Sequence, residues 1–87
     1  MDAPTKLRDL AVSETGFVFD PSTGATFSVN ASGLVMLAGL KDGQEREAIT
    51  ERLRDAFETG EADLQRDLDE FVGLLRQHGI LPEDFRL

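Results

Sequence analysis

The chain has 87 residues, no cysteine and a formal net charge of −8 at pH 7. This length accommodates one domain with a small core, and the lack of cysteine excludes disulfides and thiolate metal sites. Residues 1–43 carry three basic and five acidic side chains, whereas residues 44–87 carry six basic and twelve acidic ones. Such an acidic C-terminal half is poorly matched to nucleic-acid phosphates and better matched to a basic peptide or protein.

Neither a secretory signal nor a membrane span is predicted. The first residues lack the basic region and apolar stretch of a signal peptide. The longest apolar run, residues 34–40, is far shorter than the roughly 20 residues that span a bilayer. We therefore expect a cytoplasmic protein without a membrane partner, in keeping with the absence of cysteine.

The N-terminal part of the chain predicts a tail and a strand. Residues 1–6 are expected to form a flexible tail. Residues 7–13 are expected to form a first strand, with Leu10 and Val12 on one face.

Residues 16–29 predict a β-hairpin. Apolar side chains alternate with their neighbours in both halves, at Phe17, Phe19, Phe27 and Val29. This is the period of half-buried strands. Between the halves, residues 20–24 have turn chemistry, because proline presets φ and glycine accepts a positive φ. The second half, residues 25–29, is expected at the sheet edge, where it could accept a peptide.

The residues after the hairpin predict three helices. Asn30 is a favourable N-cap for a first helix that ends near Lys41. This helix is apolar on nearly all sides, so it is expected to be the central buried helix. Asp42 and Gly43 end it. The order of elements predicts an α+β, winged-helix-like fold, with a three-stranded antiparallel β-sheet followed by three α-helices.

The second and third helices are predicted to be amphipathic. The second spans residues 44–58 and the third spans residues 62–78. Their apolar positions are Ile49, Leu53, Ala56 and Phe57 in the second helix, and Leu64, Leu68, Phe71, Val72 and Leu75 in the third. Both sets have the spacing of one buried helix face. Ile80 and Leu81 are expected to fold back onto the core, with residues 83–87 as a tail.

The sequence offers little for catalysis or cofactor binding. It has no cysteine, tyrosine or tryptophan, and its one histidine, His78, is most simply a partner of the helix dipole. No nucleophile elbow or phosphate loop is present. Asp63, Asp67 and Glu70 share a helix face, but without His or Cys ligands they are interpreted as solvated acids. We expect no enzyme activity, no cofactor and no metal.

Two other classes of protein share some of these features. An acyl carrier protein is also short, acidic and helical, and Ser32 could carry its prosthetic arm, but such a protein lacks the hairpin. A winged-helix protein-interaction or transcription-regulatory module has the same hairpin and helix number. The acidic third helix, in which Arg66 and Arg76 are the only cations, argues against nucleic-acid binding and leaves a protein-binding module as the alternative.

From residue 7 to residue 81, the order and spacing of these features resemble the PqqD family of small peptide chaperones. The matching residues are Ser28, Val29, Asn30, Ala31, Ser32 and Gly33 at the first helix, Asp42 and Gly43 after it, Ile49 and Leu53 in the second helix, and Phe71, Leu75, Gly79, Ile80 and Leu81 at the end. Residues 44–46 depart from the family pattern, which often places a capping Ser or Thr there. The resemblance implies one peptide-recognition domain over residues 7–82.

The resemblance also implies a function and a site. In this family the leader of a ribosomally made precursor peptide adds as an antiparallel strand beside the third strand and packs against the third helix. A modifying enzyme, for instance a radical enzyme, is the second partner. Carried onto this sequence, the strand edge comprises Ala25, Thr26, Phe27, Ser28 and Val29, and the groove wall comprises Leu64, Asp67, Leu68 and Phe71. Phe71 is also well explained as core, and the three residues nearer the helix start are preferred for the groove.

Overall fold

The computed structural model describes residues 5–58 and 60–87. In chain order its elements are α1 (Thr5–Arg8), β1 (Ala11–Val12), β2 (Phe17–Asp20), β3 (Ala25–Ser28), α2 (Ala31–Lys41), α3 (Arg46–Ala56) and α4 (Glu61–Gln77). The strands form one antiparallel sheet in the order β1-β2-β3. The predicted α+β class, a three-stranded antiparallel sheet followed by helices, is confirmed.

The N-terminal segment differs from its prediction. Helix α1 occupies the start of the predicted strand and the end of the predicted tail, and residues 1–4 lie outside the described residues. Leu7 and Leu10 are both buried, and the Leu10 N–H donates to the Leu7 carbonyl at 3.4 Å. In a strand, residues three apart would face opposite sides, whereas one helical turn brings both to the core. The first strand is therefore only Ala11–Val12.

The hairpin has the predicted alternation, with the phenylalanines of β2 on the outside. Val18 pairs with Phe27, and Phe19 pairs with Thr26. Val18 is fully buried against the helices, whereas Phe17 and Phe19 are 52% and 39% exposed. The outer face of the sheet is thus apolar around its central strand.

Asp20 closes the hairpin and joins it to α1. Its carboxylate is buried and accepts hydrogen bonds from the Ser22 hydroxyl at 2.7 Å and the Ser22 N–H at 3.0 Å. The Lys6 ammonium lies 3.4 Å away. The Ser22 hydrogen bonds, assisted by Lys6 and opposed by burial, lower the pKa of Asp20 from its ordinary value of 3.8.

The helices begin and end close to their predicted bounds. Asn30 caps α2 as expected, since its Oδ1 accepts the Gly33 N–H at 2.8 Å. Helices α3 and α4 begin and end within two residues of the predictions. Glu45 precedes α3 without a side-chain capping bond, so the position at which the sequence departs from the family pattern also lacks a cap.

The core lies between the inner face of the sheet and the helices. Its buried apolar residues are Leu7, Leu10, Val18, Met36, Leu37, Leu40, Ile49, Leu53, Leu64, Leu68, Val72, Leu75, Ile80 and Leu81. Ile80 and Leu81 return to it as predicted. Ala56, predicted on the buried face of the second helix, is exposed, because α3 ends there. Phe85 in the C-terminal tail packs against the core, and its carbonyl accepts a hydrogen bond from Arg76 at 2.8 Å.

Polar contacts hold α4 against α3. Arg46 donates to Asp69 and, at 2.7 Å, to Gln65 Oε1. Arg54 Nε lies 2.9 Å from Glu61 at the start of α4. Exposed pairs of this kind each stabilise a fold by only about 0.2–1 kcal/mol. Their value here is to fix the orientation of α4, which forms one wall of the site described next.

Candidate functional site

Strand β3 is at an edge of the sheet, and the backbone groups of Thr26 and Ser28 point away from it. The Val29 N–H donates to the Gly16 carbonyl at 2.8 Å. Hydrogen-bonded positions alternate along an antiparallel strand. With Val18 opposite Phe27, Phe27 therefore also points its backbone groups toward β2. Thr26 and Ser28, which are exposed, point theirs to the open side. We call these outward groups the β3 edge.

A groove lies beside the end of β3, between α2 and α4. Its volume is about 410 Å³. On one side it is lined by Asn30, Ser32, Gly33 and Met36. On the other side it is lined by Asp67, Glu70, Phe71 and Leu74. A second depression of about 250 Å³ continues it toward α3, where it reaches Phe57 and Leu64. We call the two together the α2–α4 groove.

Gly33 allows the walls of the groove to come close. A Cβ at this position would lie 3.0 Å from the Val29 Cβ and 3.4 Å from Phe71 Cε1. A larger residue would have to push α4 or the end of β3 aside. The side chain of Asn30 is also committed, because its Oδ1 accepts from both the Gly33 N–H and the Ser32 hydroxyl. The wall of the groove that α2 forms is therefore held in place at its start by the Asn30 cap.

Helix α4 runs beside β3 in the opposite direction. Phe71 lies next to Gly33, just beyond the end of β3. Further along α4, the ring of His78 stacks on Phe27 in the middle of β3, with ring centroids 5.5 Å apart and planes inclined by 4°. A segment added to the β3 edge would therefore lie along the C-terminal half of α4.

The groove is apolar at its floor and acidic at its rim. Phe71 is half-buried, and Leu74 is 40% exposed. Asp67 lies 4.0 Å from Arg66, which also pairs with Asp63 at 3.0 Å. Glu70 makes no ion pair with any residue that the structure describes. The groove thus offers apolar contact and negative charge to a ligand.

The residues predicted for the site fall into three groups. Ala25, Thr26 and Ser28 are exposed on β3, while Phe27 and Val29 are half-buried beneath it. Asp67 and Phe71 line the groove. Leu64 is buried and reaches only the second depression, whereas Leu68 is fully buried in the core. The preference for Leu68 over Phe71 as a groove residue is therefore reversed by burial.

Sequence reasoning missed Glu70 and Leu74. Both lie on the stripe that Asp67 and Phe71 define, because residues three or four apart share a helix face. The sequence did not show which side of this α4 stripe faces α2, and so it did not show which residues line the groove. Ser32, Gly33 and Met36 of α2 also line the groove, and the helical periodicity alone does not mark Gly33 or Met36 as anything other than core positions.

Other kinds of site find little support among the described residues. Within residues 5–58 and 60–87, no group of three or more acidic or histidine side chains could hold a metal ion. His78 is engaged in its stack with Phe27 at the end of α4. No helix in the same part of the chain is both long and apolar enough to cross a membrane.

The comparisons with known proteins point to one family. Searches of the curated proteins and of the solved structures return no match. A family model described as coenzyme PQQ synthesis protein D (PqqD) matches residues 16–81, which include β2, β3 and the three long helices. That family consists of non-catalytic accessory proteins. Since the match covers most of the chain, including the β3 edge and the α2–α4 groove, the chain belongs to the PqqD family.

Proposed function

We propose that this protein binds the leader of a ribosomally made precursor peptide as an added strand on the β3 edge, and presents it to the enzyme that modifies the peptide. The observation that carries the proposal is an open strand edge, with the backbone groups of Thr26 and Ser28 pointing outward, that leads within two residues to Asn30 at the α2–α4 groove. In strand addition, main-chain hydrogen bonds give affinity and side-chain pockets give selectivity. Family membership supports an accessory role of this kind.

The edge alone is too short to hold a peptide. Two outward residues offer at most about four main-chain hydrogen bonds, each worth about 0.5–1.5 kcal/mol net. Ordering each peptide residue costs about 1–2 kcal/mol of backbone entropy. The balance must come from apolar contact with Phe71 and Leu74 in the groove, where burial contributes about 25 cal/mol per Å². Binding therefore depends on the groove as much as on the edge.

Strand addition also suits the presentation of a peptide. The bound segment becomes the outermost strand of the sheet, so its far side keeps unpaired N–H and C=O groups. A modifying enzyme could contact that side while the segment stays bound. Residues of the precursor beyond the added strand would remain free to reach the enzyme.

An amide chemical-shift titration tests this function. The ligand is a synthetic peptide with the sequence of a precursor's leader, for which short open reading frames near the gene are the candidates. The largest shifts are expected at residues 25–29 and at the groove residues Asp67, Glu70, Phe71 and Leu74. Residues of α3 that face away from the groove serve as the internal control. If the largest shifts fall on those residues, with none at the β3 edge or the groove, the proposal is wrong.

A further inference from the structure

The groove changes character along α4. At 100° per residue, Asp63, Asp67 and Glu70 lie on the same exposed stripe as Leu74 and His78. The acidic members come first in the chain, and the apolar and aromatic members follow. One end of the groove is therefore negative and the other is not.

The negative end is under-neutralised. Asp67 and Glu70 both line the groove. The guanidinium of Arg66 is divided between Asp63 at 3.0 Å and Asp67 at 4.0 Å, and its side chain is 64% exposed. Glu70 has no ion pair among the residues that the structure describes. A cationic side chain in the groove would meet at least one unpaired carboxylate.

The other end, beside the middle of β3, is suited to apolar side chains. Leu74 lines the groove and is 40% exposed. The stacked rings of Phe27 and His78 lie one helical turn further on. An apolar residue of an added strand would cover Leu74 and the edge of this stack.

The direction of β3 determines which part of an added peptide meets the acidic end of the groove and which part meets the apolar end. The acidic end lies where β3 finishes, next to Asn30 and Ser32. Both strand pairs of the sheet are antiparallel, and antiparallel pairing is slightly the more stable kind. A strand that adds to β3 in the same way begins at the acidic end and proceeds toward the hairpin turn.

We propose that the peptides this site selects carry a lysine or arginine on the N-terminal side of an alternating apolar strand segment. This inference rests on the proposed function and adds the chemical class of the ligand. From Asp67 to His78, α4 rises about 16 Å at 1.5 Å per residue, which an extended chain covers in about five residues. The cation therefore precedes the residue beside Phe27 by about five positions.

Binding of three short synthetic peptides tests the order. The first has two lysines followed by alternating leucine and threonine, the second has the same residues in reverse order, and the third has glutamines in place of the lysines. We expect the first peptide to bind about 2- to 30-fold more tightly than the other two, as expected for one or two exposed charge pairs. The advantage should shrink at high salt because exposed charges are screened.

Matched variants locate the effect. Asp67→Asn with Glu70→Gln should remove the advantage of the first peptide. Glu83→Gln with Asp84→Asn makes the same change in net charge at exposed positions outside the groove and should preserve it. Equal affinities for the three peptides, or a preference for the reversed one, would overturn the proposed order.

The proline variant Ser28→Pro distinguishes this failure from a failure of the proposed function. Suppose that the unsubstituted protein binds the three peptides with equal affinity and that Ser28→Pro weakens the binding of all three by the same factor. Strand addition then stands, and the proposed charge order is wrong. If Ser28→Pro changes no affinity, strand addition itself is wrong, and the inference is wrong with it.

Discussion

The two edges of the sheet differ in length and in what lies beside them. β1 contributes two residues, and the Lys41 ammonium donates to the Leu10 carbonyl directly before it at 2.6 Å. β3 contributes four residues, two of which point their backbone groups outward beside a groove. Proteins commonly protect an edge by keeping it short or covering it. The openness of β3 is therefore a property of that edge and not a general consequence of a small sheet.

The largest expected effect separates the core side of α4 from the side that lines the α2–α4 groove. Leu68→Ala should lower the free energy of unfolding by about 2–5 kcal/mol, because Leu68 is fully buried. Leu74→Ala should cost little stability, since Leu74 is 40% exposed, but it should weaken leader binding. Urea unfolding and peptide titration measure the two effects. Equal losses of stability would show that Leu74 belongs to the core.

A smaller loss of stability is expected when alanine replaces either of two glycines of the hairpin that have a positive φ, Gly16 and Gly24. Gly16 has a φ of +93°, and an added Cβ would lie 2.2 Å from the Val29 carbonyl oxygen. Gly24 has a φ of +77° with no atom within 4 Å of that position. Gly24→Ala should therefore cost only the conformational strain, about 1–2 kcal/mol. Gly16→Ala should cost more, because it also displaces the end of β3.

Urea unfolding of both glycine variants checks this difference. Circular dichroism shows first whether each variant folds. Equal stabilities would mean that the contact between Gly16 and Val29 does not constrain β3.

Proline substitution compares the two edges directly. Ser28→Pro removes an outward N–H from β3 and should weaken leader binding by about 2- to 12-fold, the value of one hydrogen bond. Val12→Pro does the same on β1, where the Ser13 N–H bonds the Phe17 carbonyl and Val12 therefore points outward. It should leave the affinity unchanged. Ser28→Ala, which keeps the amide, is the control for the side chain, and a loss of affinity in Val12→Pro would contradict the assignment of the site.

The smallest effect concerns the contact that ties the hairpin to α1. The pKa of Asp20 is lowered in the folded protein, so its stabilising contribution is present above the ordinary value of 3.8. That contribution is lost as the pH falls through the lower folded pKa. Stability should therefore decline as the pH falls below about 4, and Asp20→Asn should flatten the decline. Ser22→Ala should flatten it more than Lys6→Gln, because the Ser22 hydroxyl is the larger cause of the shift.

Local chemistry made much of the fold predictable. The turn at residues 20–24, the Asn30 cap and the break at Gly43 each depend on neighbouring residues alone, and each is where the sequence places it. Helix α1 was not predictable in this way. It has four residues, too few to be stable alone, and its position depends on the burial of Leu7 by distant parts of the chain.

The phase of the periodic elements also depends on tertiary structure. Alternation in β2 was clear from the sequence, but alternation alone does not say which of the two groups of alternating side chains faces the core. In the structure the buried group is Val18 and Asp20, and not the two phenylalanines. The stripe on α4 was clear as well. Whether Leu68 or Phe71 meets the groove depends on the approach of α2, which Gly33 permits. The sequence therefore named β3 and α4 for the candidate site, but neither the contribution of α2 nor the full set of α4 residues that line the groove.

The open β3 edge has a consequence for how the protein behaves in concentrated solution. An edge that accepts a peptide can also accept the same edge of a second molecule. At pH 7 the net charge of −8 keeps molecules apart. Acid that protonates the carboxylates, or salt that screens them, weakens this repulsion while leaving the backbone groups of Thr26 and Ser28 available. We therefore expect the protein to self-associate reversibly in mild acid through the β3 edge. An excess of leader peptide should suppress this association, because it would occupy the same edge.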